Sequence, residues 1–360
     1  QYQNYIQGKW VSGEGSETEL FNAINGDALG SVSSLGIDYK EVLQYGRSVG
    51  GPSLRKMTFQ ERGRMLKALA FYLLEKKENY YQVSSWTGAT KIDSWIDIEG
   101  GIGNLFANAS LRKQFPDLPY YVDGVAAPLS KGGSFIGHHI MVPKEGVAIH
   151  INAFNFPIWG MLEKIAVNLM AGVPAIVKPS EFTCYLTEVM VRDIIASKIL
   201  PEGALQLICG LGRGIIDHVD ARDTVTFTGS ASTGKVLKGL PHITEESVSF
   251  NLEADSLNAS VLGMHATPGT VEFDLFVKEC VKEITIKAGQ KCTAVRRILV
   301  PENLLDEVQN AISEKLNKTK IGDPSIEGVR MGALASKLQV ERVRASVDLL
   351  AKSQSIVSGD

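Results

Sequence analysis

The sequence predicts an α/β fold with a mostly parallel, doubly wound sheet. Four short apolar segments have the composition of strands buried on both faces: 147–151, 172–177, 204–209 and 224–227. Helical stretches at 159–171 and 183–196 separate the first three of them. Strands and helices that alternate at this spacing are typical of βαβ units. Ligands bind beyond the carboxyl ends of such strands, so we expect the chemistry in the loops that follow them.

Upstream of this region the pattern is mixed. Residues 5–12 predict two short strands around a turn, and the apolar period across 58–79 predicts a helix packed on a core. Residues 118–142 combine proline, glycine and β-forming residues, which indicates one or two strands that leave the main body. A chain of 360 residues that is 44% hydrophobic suits two or three domains.

Composition argues against several classes of partner. The formal net charge of −3 leaves no basic surplus for nucleic acid or acidic lipid. No apolar run reaches the length of a membrane span, and the polar first residues lack the apolar core of a signal peptide. The four cysteines and six histidines have no metal-like spacing, so we expect no metal and a reducing, cytoplasmic setting. The pair His138–His139 is expected on a strand surface.

Four motifs follow the predicted strands or lie near them, and together they carry a family resemblance. Asn152–Pro157, Lys178–Glu181, Phe227–Gly234 and Gly289–Thr293 resemble the P-W-N-F-P, K-P-[SA]-E, F-T-G-S-x-x-x-G and G-Q-x-C segments of aldehyde dehydrogenases. Each tetrapeptide alone is a weak signal. All four occur in the family order at family-like separations, so the chain resembles aldehyde dehydrogenases from its N-terminal strands to its end.

Cys292 is the expected nucleophile. Gly289 and Gln290 before it and Thr293 after it make a small, polar, loop-like setting rather than a core strand. A thiolate is the reactive form of cysteine, so the site must lower the thiol pKa or supply a base. The resemblance implies attack on an aldehyde to give a thiohemiacetal, hydride transfer to a nicotinamide, and hydrolysis of the resulting thioester. The other cysteines, Cys184, Cys209 and Cys280, are expected to be structural.

Asn155 is expected to stabilise the oxyanion of the thiohemiacetal. It holds the family's place directly before Phe-Pro, where a preorganised amide and the backbone N–H of Cys292 would face the former carbonyl oxygen. Losing one such donor costs about 3 kcal/mol of transition-state stabilisation. Asn152 is the competing candidate, and a simple turn role for Asn155 is the alternative.

The general base is where this sequence departs from the family. The usual E-L-G-G-K segment begins with glutamate, whereas Asn251 stands there and Glu253 follows two residues later. In an extended segment, a shift of two keeps the side chain on the same face and moves its root by about 7 Å. Glu253 is therefore the expected base, with a solvated loop acid as the alternative. This variant resembles the dehydrogenase part of the bifunctional ring-opening enzymes of phenylacetate degradation.

The cofactor contacts come from the fold and the resemblance. Gly229 and Gly234 bracket the start of a helix whose N–H groups can bind a pyrophosphate, with Ser230 as a further donor. Further candidates from the matched motifs are Phe227, Thr228, Lys178, Ser180 and Glu181. Gly210 and Gly212, in Cys-Gly-Leu-Gly, are expected to line the adenine side. The segment around Lys178 resembles the family's adenosine-ribose site. There a glutamate such as Glu181 favours the 2′-hydroxyl of NAD, whereas a serine such as Ser180 leaves room for the 2′-phosphate of NADP. Both cofactors stay open, and the subfamily resemblance favours NADP.

The resemblance implies a three-part architecture. We expect a dinucleotide-binding domain over 1–119 and 143–252, an oligomerisation arm over 120–142, and an incomplete catalytic domain over 253–360. The arm implies a homodimer or a multiple of it. Family members continue past residue 360 and carry an E-x-F-G-P loop that is absent here, so we expect this chain to lack part of its catalytic domain, and a separate hydratase domain as well.

The expected reaction is the oxidation of a semialdehyde, carried on a coenzyme A thioester, to its acid. Two alternatives stay open. An acylating enzyme would release the thioester to coenzyme A instead of water, and a dinucleotide-binding protein without turnover would serve structurally. The identity of the aldehyde does not follow from the sequence, because the pocket is built from scattered apolar side chains.

Overall fold

The computed structural model describes residues 1–357 and divides the chain into two compact units. The first unit comprises Gln1–Glu19, Gly30–Tyr80 and Ile96–Ala254. The second comprises Leu20–Leu29, Tyr81–Trp95 and the chain from Asp255 on. Each unit is therefore assembled from separate parts of the sequence.

Strands and helices alternate through most of the described chain. The strands are β1 (Asn4–Ile6), β2 (Lys9–Val11), β3 (Thr18–Phe21), β4 (Ala28–Val32), β5 (Tyr121–Pro128), β6 (Ile136–Met141), β7 (Ala148–Ile151), β8 (Ala175–Lys178), β9 (Leu205–Leu207), β10 (Thr224–Gly229), β11 (Ser249–Ala254), β12 (Ala259–Val261) and β13 (Arg297–Leu299). The α-helices are α1 (Tyr39–Tyr45), α2 (Gly51–Lys56), α3 (Phe59–Glu75), α4 (Lys77–Ser85), α5 (Lys91–Ser110), α6 (Pro157–Met170), α7 (Cys184–Ser197), α8 (Ala231–Lys238), α9 (Pro241–Glu245), α10 (Val271–Thr285), α11 (Leu305–Asn317) and α12 (Lys337–Ala351).

A seven-stranded sheet forms the centre of the first unit, in the order β11-β10-β7-β8-β9-β1-β2. The five strands from β11 to β9 are parallel, and β1 and β2 add an antiparallel hairpin at one edge. The chain runs from β7 through β8 to β9 on one side, then returns to place β10 and β11 on the other. The order therefore reverses between β7 and β10, where doubly wound sheets open a ligand crevice. The predicted fold class is confirmed.

The predicted elements occur with shifted ends. The two strands expected within 5–12 are β1 and β2, and the four buried strands are β7 to β10. The helix expected over 58–79 is two helices, because α3 ends at Glu75 and α4 begins at Lys77. α3 begins at a capping box in which Thr58 and Glu61 satisfy each other's backbone N–H groups. Residues 118–142 contain β5 and β6, which pair with each other.

The second unit has a smaller core. Its β12 and β13 are parallel neighbours, and α10 packs against α11. The buried side chains of this core come from those two helices and from the segments that precede them: Leu262, Ala266, Phe273, Val277, Leu304 and Val308. Among the described residues, no helix combines the length and the apolar character needed to cross a membrane.

His150 is a buried polar group in the middle of β7. The Asn168 amide nitrogen donates a hydrogen bond to the Val173 carbonyl, so the amide oxygen faces His150. The Nε2 of His150 therefore donates to Asn168 Oδ1 of α6 at 2.8 Å. Its Nδ1 then accepts from the Thr226 hydroxyl of β10 at 2.8 Å. Burial lowers the pKa of His150 to about 4, so this side chain is neutral at physiological pH.

We expect His150 to make the stability of the protein depend on pH between about 6.5 and 4. In that window the unfolded histidine binds a proton and the folded one does not, so stability falls as the pH drops, by about 2 kcal/mol from pH 7 to pH 5. Urea unfolding at the two pH values measures this loss. His150→Gln should flatten the dependence, whereas His218→Gln, which changes an exposed histidine, should not. Equal slopes in all three proteins would contradict the assignment.

Candidate active site

The carboxyl edge of the central sheet has two different faces. α8 packs on one of them, where a Cβ added to Gly234 would lie 2.3 Å from Leu252 Cδ1 and 3.3 Å from Phe227 Cδ1. Leu252 and Phe227 therefore point toward α8, and glycine at 234 allows the close approach of helix to sheet. Side chains alternate along a strand, so the neighbours of these two residues point to the opposite face, the one that carries α6.

The α8 face presents a helix N-terminus. Ser230 caps α8, and its Oγ accepts the Thr233 N–H at 3.3 Å. The start of the helix follows Gly229 directly, at the carboxyl end of β10. First-turn N–H groups and the helix dipole attract anions at such a terminus. The donors present here therefore fit the pyrophosphate of a dinucleotide.

Lys178 lies at the carboxyl end of β8 and is almost fully buried. Its Nζ donates to the Pro179 carbonyl at 3.0 Å and forms an ion pair with Glu181 at 3.5 Å. Gly212 packs on the aliphatic part of this side chain, because a Cβ added there would lie 3.1 Å from Lys178 Cγ. Gly212 has φ +63°, a left-handed conformation that glycine adopts without strain. The half-buried Ser180 follows the strand. Lys178, Ser180 and Glu181 together therefore offer one cation, one hydroxyl and one carboxylate.

Gly210 belongs to the same turn. Its φ is +105°, and a Cβ there would lie 2.8 Å from both Glu17 Oε2 and Ser34 N. The Gly212 N–H donates to Ser34 Oγ at 3.0 Å. The turn after β9 is thus held by residues near the N-terminus of the chain.

Asn155 lies in the loop between β7 and α6 and is half-buried. The Thr183 hydroxyl donates to the Phe154 carbonyl at 3.1 Å, which holds this loop against the segment after β8. Asp97 Oδ1 accepts the N–H groups of Ile158 and Trp159, at 3.1 and 2.7 Å, and so caps α6 from α5. The loop that carries Asn155 is therefore supported at both ends.

Asn251 and Glu253 are both exposed on β11. They pair in register with Thr226 and Thr228 of β10, respectively. Thr226 bonds to His150 on the α6 face, so Asn251 and Glu253 also point to that face. The displacement of the glutamate by two residues thus keeps its face, as an extended segment requires.

Cys292 belongs to the second unit and lies in an exposed turn. Asn258 Nδ2 donates to the Cys292 carbonyl at 2.6 Å and to the Ala294 carbonyl at 3.2 Å. This amide therefore holds both ends of the turn that presents the thiol.

The three other cysteines are buried. A hydrogen bond with Cys184 and burial both raise the pKa of the Cys209 thiol well above its ordinary value. Burial likewise raises the pKa of Cys280. A high pKa keeps a thiol protonated and unreactive.

A strained backbone run precedes the nucleophile. Lys287 and Ala288 both have φ +51°, and Gly289 has φ +71°. Such values are costly for residues with a Cβ and persist only when the surroundings impose them. Here the buried Lys287 donates its backbone N–H to Asp93 at 2.9 Å and its Nζ to the Thr87 hydroxyl at 2.8 Å.

Two polar side chains extend this support toward the thiol. Gln290 donates to the Lys287 carbonyl at 3.0 Å and accepts the Ala335 N–H at 3.1 Å. Arg296 donates to the Gly289 carbonyl at 2.9 Å. Lys291 is paired with Glu283 at 2.8 Å, so its charge is balanced.

Sequence reasoning did not find these supports. Asp93 is 194 residues from Lys287, and Asn258 is 34 residues from Cys292. No local pattern links residues at such separations. Within residues 1–357 no cluster of histidine, cysteine and acidic side chains could hold a metal ion. The structure thus collects Asn155, Glu253 and the cofactor candidates on the carboxyl edge in the first unit, and it presents Cys292 in the second.

The fold and these residues define an enzyme class. The chain belongs to the aldehyde dehydrogenase family, which matches residues 10–359. Members of this family are oxidoreductases that act on aldehydes with NAD or NADP.

Two curated relatives show how similar the chain is to individual enzymes. The chain is 43% identical over 337 residues to 3,4-dehydroadipyl-CoA semialdehyde dehydrogenase of Aromatoleum evansii, a match that covers 93% of this chain and 65% of that enzyme. It is 25% identical to the mitochondrial succinate-semialdehyde dehydrogenase of Arabidopsis thaliana, covering 99% of this chain and 66% of that one. The chain therefore spans about two thirds of the length of these two curated relatives.

Solved structures share the fold at low sequence identity. A 3,6-anhydro-L-galactose dehydrogenase in complex with NADP superposes with a TM-score of 0.87 at 20% identity, covering 99% of this chain and 73% of that one. Betaine aldehyde dehydrogenase from Staphylococcus aureus in complex with NAD+ superposes with a TM-score of 0.83 at 22% identity, covering 99% and 69%.

The strained backbone before Cys292 leads to a prediction about the free energy of unfolding. Ala288→Gly should raise the free energy of unfolding, by up to about 1 kcal/mol, because glycine adopts φ +51° without a Cβ clash. The matched control is Ala311→Gly in α11, which should lower it by about 1 kcal/mol through helix propensity. Chemical denaturation measures both. An equal loss in the two variants would mean that the turn is not strained at Ala288.

Proposed function

We propose that this protein oxidises an aldehyde to a carboxylic acid with a nicotinamide dinucleotide, through a covalent intermediate on Cys292. The observation that carries the proposal is the exposed thiol on a turn that Asn258 and Arg296 hold, after a segment that Asp93 holds at Lys287. The three other cysteines are buried and have no comparable setting, so Cys292 differs from them in its exposure. Family membership supports the same class of reaction.

The thiol of Cys292 releases its proton to solvent, and the resulting thiolate attacks the aldehyde carbon. The carbonyl oxygen becomes an oxyanion, which the Asn155 amide and the backbone N–H of Cys292 would stabilise. A nicotinamide dinucleotide, when bound, would supply the hydride acceptor, and loss of hydride from the thiohemiacetal would leave an acyl thioester on Cys292. The rigid turn matters because an error of about 1 Å in placement can cost about a hundredfold in rate.

Glu253 is proposed as the base of the second half-reaction. It takes a proton from water as the water oxygen attacks the thioester carbon. The bond between carbon and sulfur breaks and the acid is released. The proton taken up by Glu253 passes to the leaving sulfur, so Cys292 regains its thiol form. The exposed position of Glu253 on the α6 face, two residues after Asn251, supports access to water.

NADP is the proposed cofactor, with NAD as the alternative. Its pyrophosphate would meet Ser230 and the start of α8, and Gly229 and Gly234 permit the close approach of backbone. Its adenosine ribose would meet Lys178, whose ammonium group suits a 2′-phosphate. Glu181 lies 3.5 Å from this ammonium group and disfavours a second negative charge, so the preference for NADP is expected to be modest.

The proposed substrate is a semialdehyde carried on a coenzyme A thioester, as formed in phenylacetate degradation after ring opening. The name of the Aromatoleum evansii relative supports this class. The alternative is an acylating enzyme that passes the acyl group to coenzyme A. Product analysis with and without free coenzyme A separates the two, because only the acylating reaction requires it.

The hairpin of β5 and β6 is the proposed oligomerisation arm. Its exposed apolar side chains support pairing with another subunit: Val125, Ile136, Ile140 and Met141. The proposed domain division keeps this arm at 120–142, between the two parts of the dinucleotide-binding domain, and begins the catalytic domain at 253. The four unpaired cysteines support a reducing compartment such as the cytoplasm.

Replacing the nucleophile should separate chemistry from cofactor binding. Cys292→Ala should remove aldehyde oxidation while the dissociation constants for NADP and NAD change less than twofold, because the thiol acts in chemistry and not in holding the dinucleotide. Absorbance at 340 nm and fluorescence titration measure the two effects. Cys280→Ala is the control for a buried thiol and should retain turnover. Activity of Cys292→Ala within tenfold of the parent would overturn the proposal.

Replacing the base should stop the reaction at the thioester. Glu253→Gln keeps the shape of the side chain but removes the proton acceptor. In a complete enzyme, one equivalent of reduced cofactor should therefore form per active site without further turnover. Stopped-flow absorbance measures this burst, and Asn251→Ala is the control on the same strand face. An unchanged steady-state rate in Glu253→Gln would show that another base acts.

A further inference from the structure

A buried amide side chain and a buried hydroxyl group at the carboxyl edge of the sheet make no hydrogen bond within residues 1–357. Asn152 is the first residue after β7 and is 4% exposed, yet neither its amide oxygen nor its amide nitrogen has a partner there. The hydroxyl of Thr228 in β10 is also buried and unpartnered among the same residues. Burying such groups without a partner destabilises a fold, so their presence needs another explanation.

The strand register places the two side chains beside each other. β7 and β10 are parallel, and Ile151 pairs with Phe227. One residue further along, Asn152 therefore faces Thr228 across the same edge. Thr228 in turn pairs with Glu253 of β11. The three residues form a row on the α6 face that ends at the proposed base.

The preceding row on this face is different. There His150 bonds to both Thr226 and Asn168, and Asn168 bonds to the Val173 carbonyl, so that the buried ring and amide are satisfied within the protein. The missing partners two residues further along are thus a property of that row and not of the whole face. Asn251, which stands where the family has its glutamate, pairs in register with the satisfied row, and Glu253 with the unsatisfied one.

The unsatisfied row has room beside it. Gly160 of α6 lies beside Asn152, and a Cβ added to it would lie 3.7 Å from Asn152 Cβ and 3.8 Å from its Cγ, which is ordinary van der Waals contact. The glycine therefore leaves the space of about one methyl group next to this side chain. A buried water needs such space and two to four polar partners, which this row supplies.

We propose that Asn152 and Thr228 are positioning residues that hold one water molecule against the carboxylate of Glu253. The water accepts hydrogen bonds from the Asn152 amide nitrogen and the Thr228 hydroxyl, and it donates one to Glu253. This bridge fixes the rotamer of Glu253, which lies in the same row as Asn152 and Thr228. The inference rests on the proposed role of Glu253 in deacylation.

Asn152→Leu tests the inference, because leucine has nearly the same size without polar atoms. The Tm should stay the same or rise, since a buried amide without a protein partner is removed. The first burst of reduced cofactor should keep its amplitude, while the steady-state rate falls at least tenfold. Thr228→Val is the second variant, and its steady-state rate should also fall at least tenfold. Because Thr228 is also a candidate cofactor contact, this rate is measured at saturating NADP. Thr187→Val is the matched control, because its hydroxyl is equally buried and unpartnered among the described residues but lies in α7.

The decisive measurement is made on the Glu253→Gln background. If Asn152 acts through Glu253, adding Asn152→Leu to Glu253→Gln should change the residual rate less than twofold. An equal loss in both backgrounds, an unchanged steady-state rate in Asn152→Leu, or a fall in Tm with loss of the burst would each overturn the inference. If the parent protein gives no burst that depends on Cys292, the proposed function itself fails. A stall in Glu253→Gln with full turnover in Asn152→Leu rejects the positioning role alone.

Discussion

The parallel pairing of β10 between β7 and β11 is the constraint on which the candidate site in the first unit depends. Parallel strands end at the same edge, so loops that are far apart in the sequence emerge together. Register then decides which face each side chain takes. Phe227 and Leu252 point toward α8, and Thr226, Asn251 and Glu253 point toward α6. One sheet edge thereby separates the anion-binding helix terminus from the polar groups proposed for chemistry.

The same constraint explains how a catalytic glutamate can move along a strand and remain useful. A shift of one residue would turn the side chain to the α8 face, whereas a shift of two keeps it on the α6 face. The cost of the shift is that the base leaves the row supported by His150 and enters the row of Asn152 and Thr228. The polar character of that second row is consistent with a base that has been relocated rather than lost.

Cys292 depends on a different kind of support. Its turn follows three residues with left-handed backbone conformation, two of which carry a Cβ. Contacts from Asp93 and Thr87 hold Lys287 in this conformation, and Asn258 and Arg296 hold the carbonyls that follow. Strain of this kind is stable only when several distant groups impose it, and it is common where a reactive side chain must be presented in one orientation.

The order and type of most elements could be predicted from the sequence, because apolar period and run length reflect local burial. The run at 147–151 contains β7, and residues 251–254 lie in the extended strand β11, as the argument about Glu253 required. The break between α3 and α4 was missed, since the apolar period continues across it. The motif residues could be named because their spacing is local, and their catalytic roles remain proposals.

Tertiary structure alone decided what surrounds those residues. The bond from Asn258 to Cys292, the contact of Lys287 with Asp93, and the adjacency of Asn152 and Thr228 join segments separated by 34 to 194 residues. Such pairs depend on strand order and register, which arise when the whole sheet forms and which no local pattern encodes. The sequence by itself therefore determined which side chains can react, and the fold determined which of them are held, which are satisfied and which still need a partner.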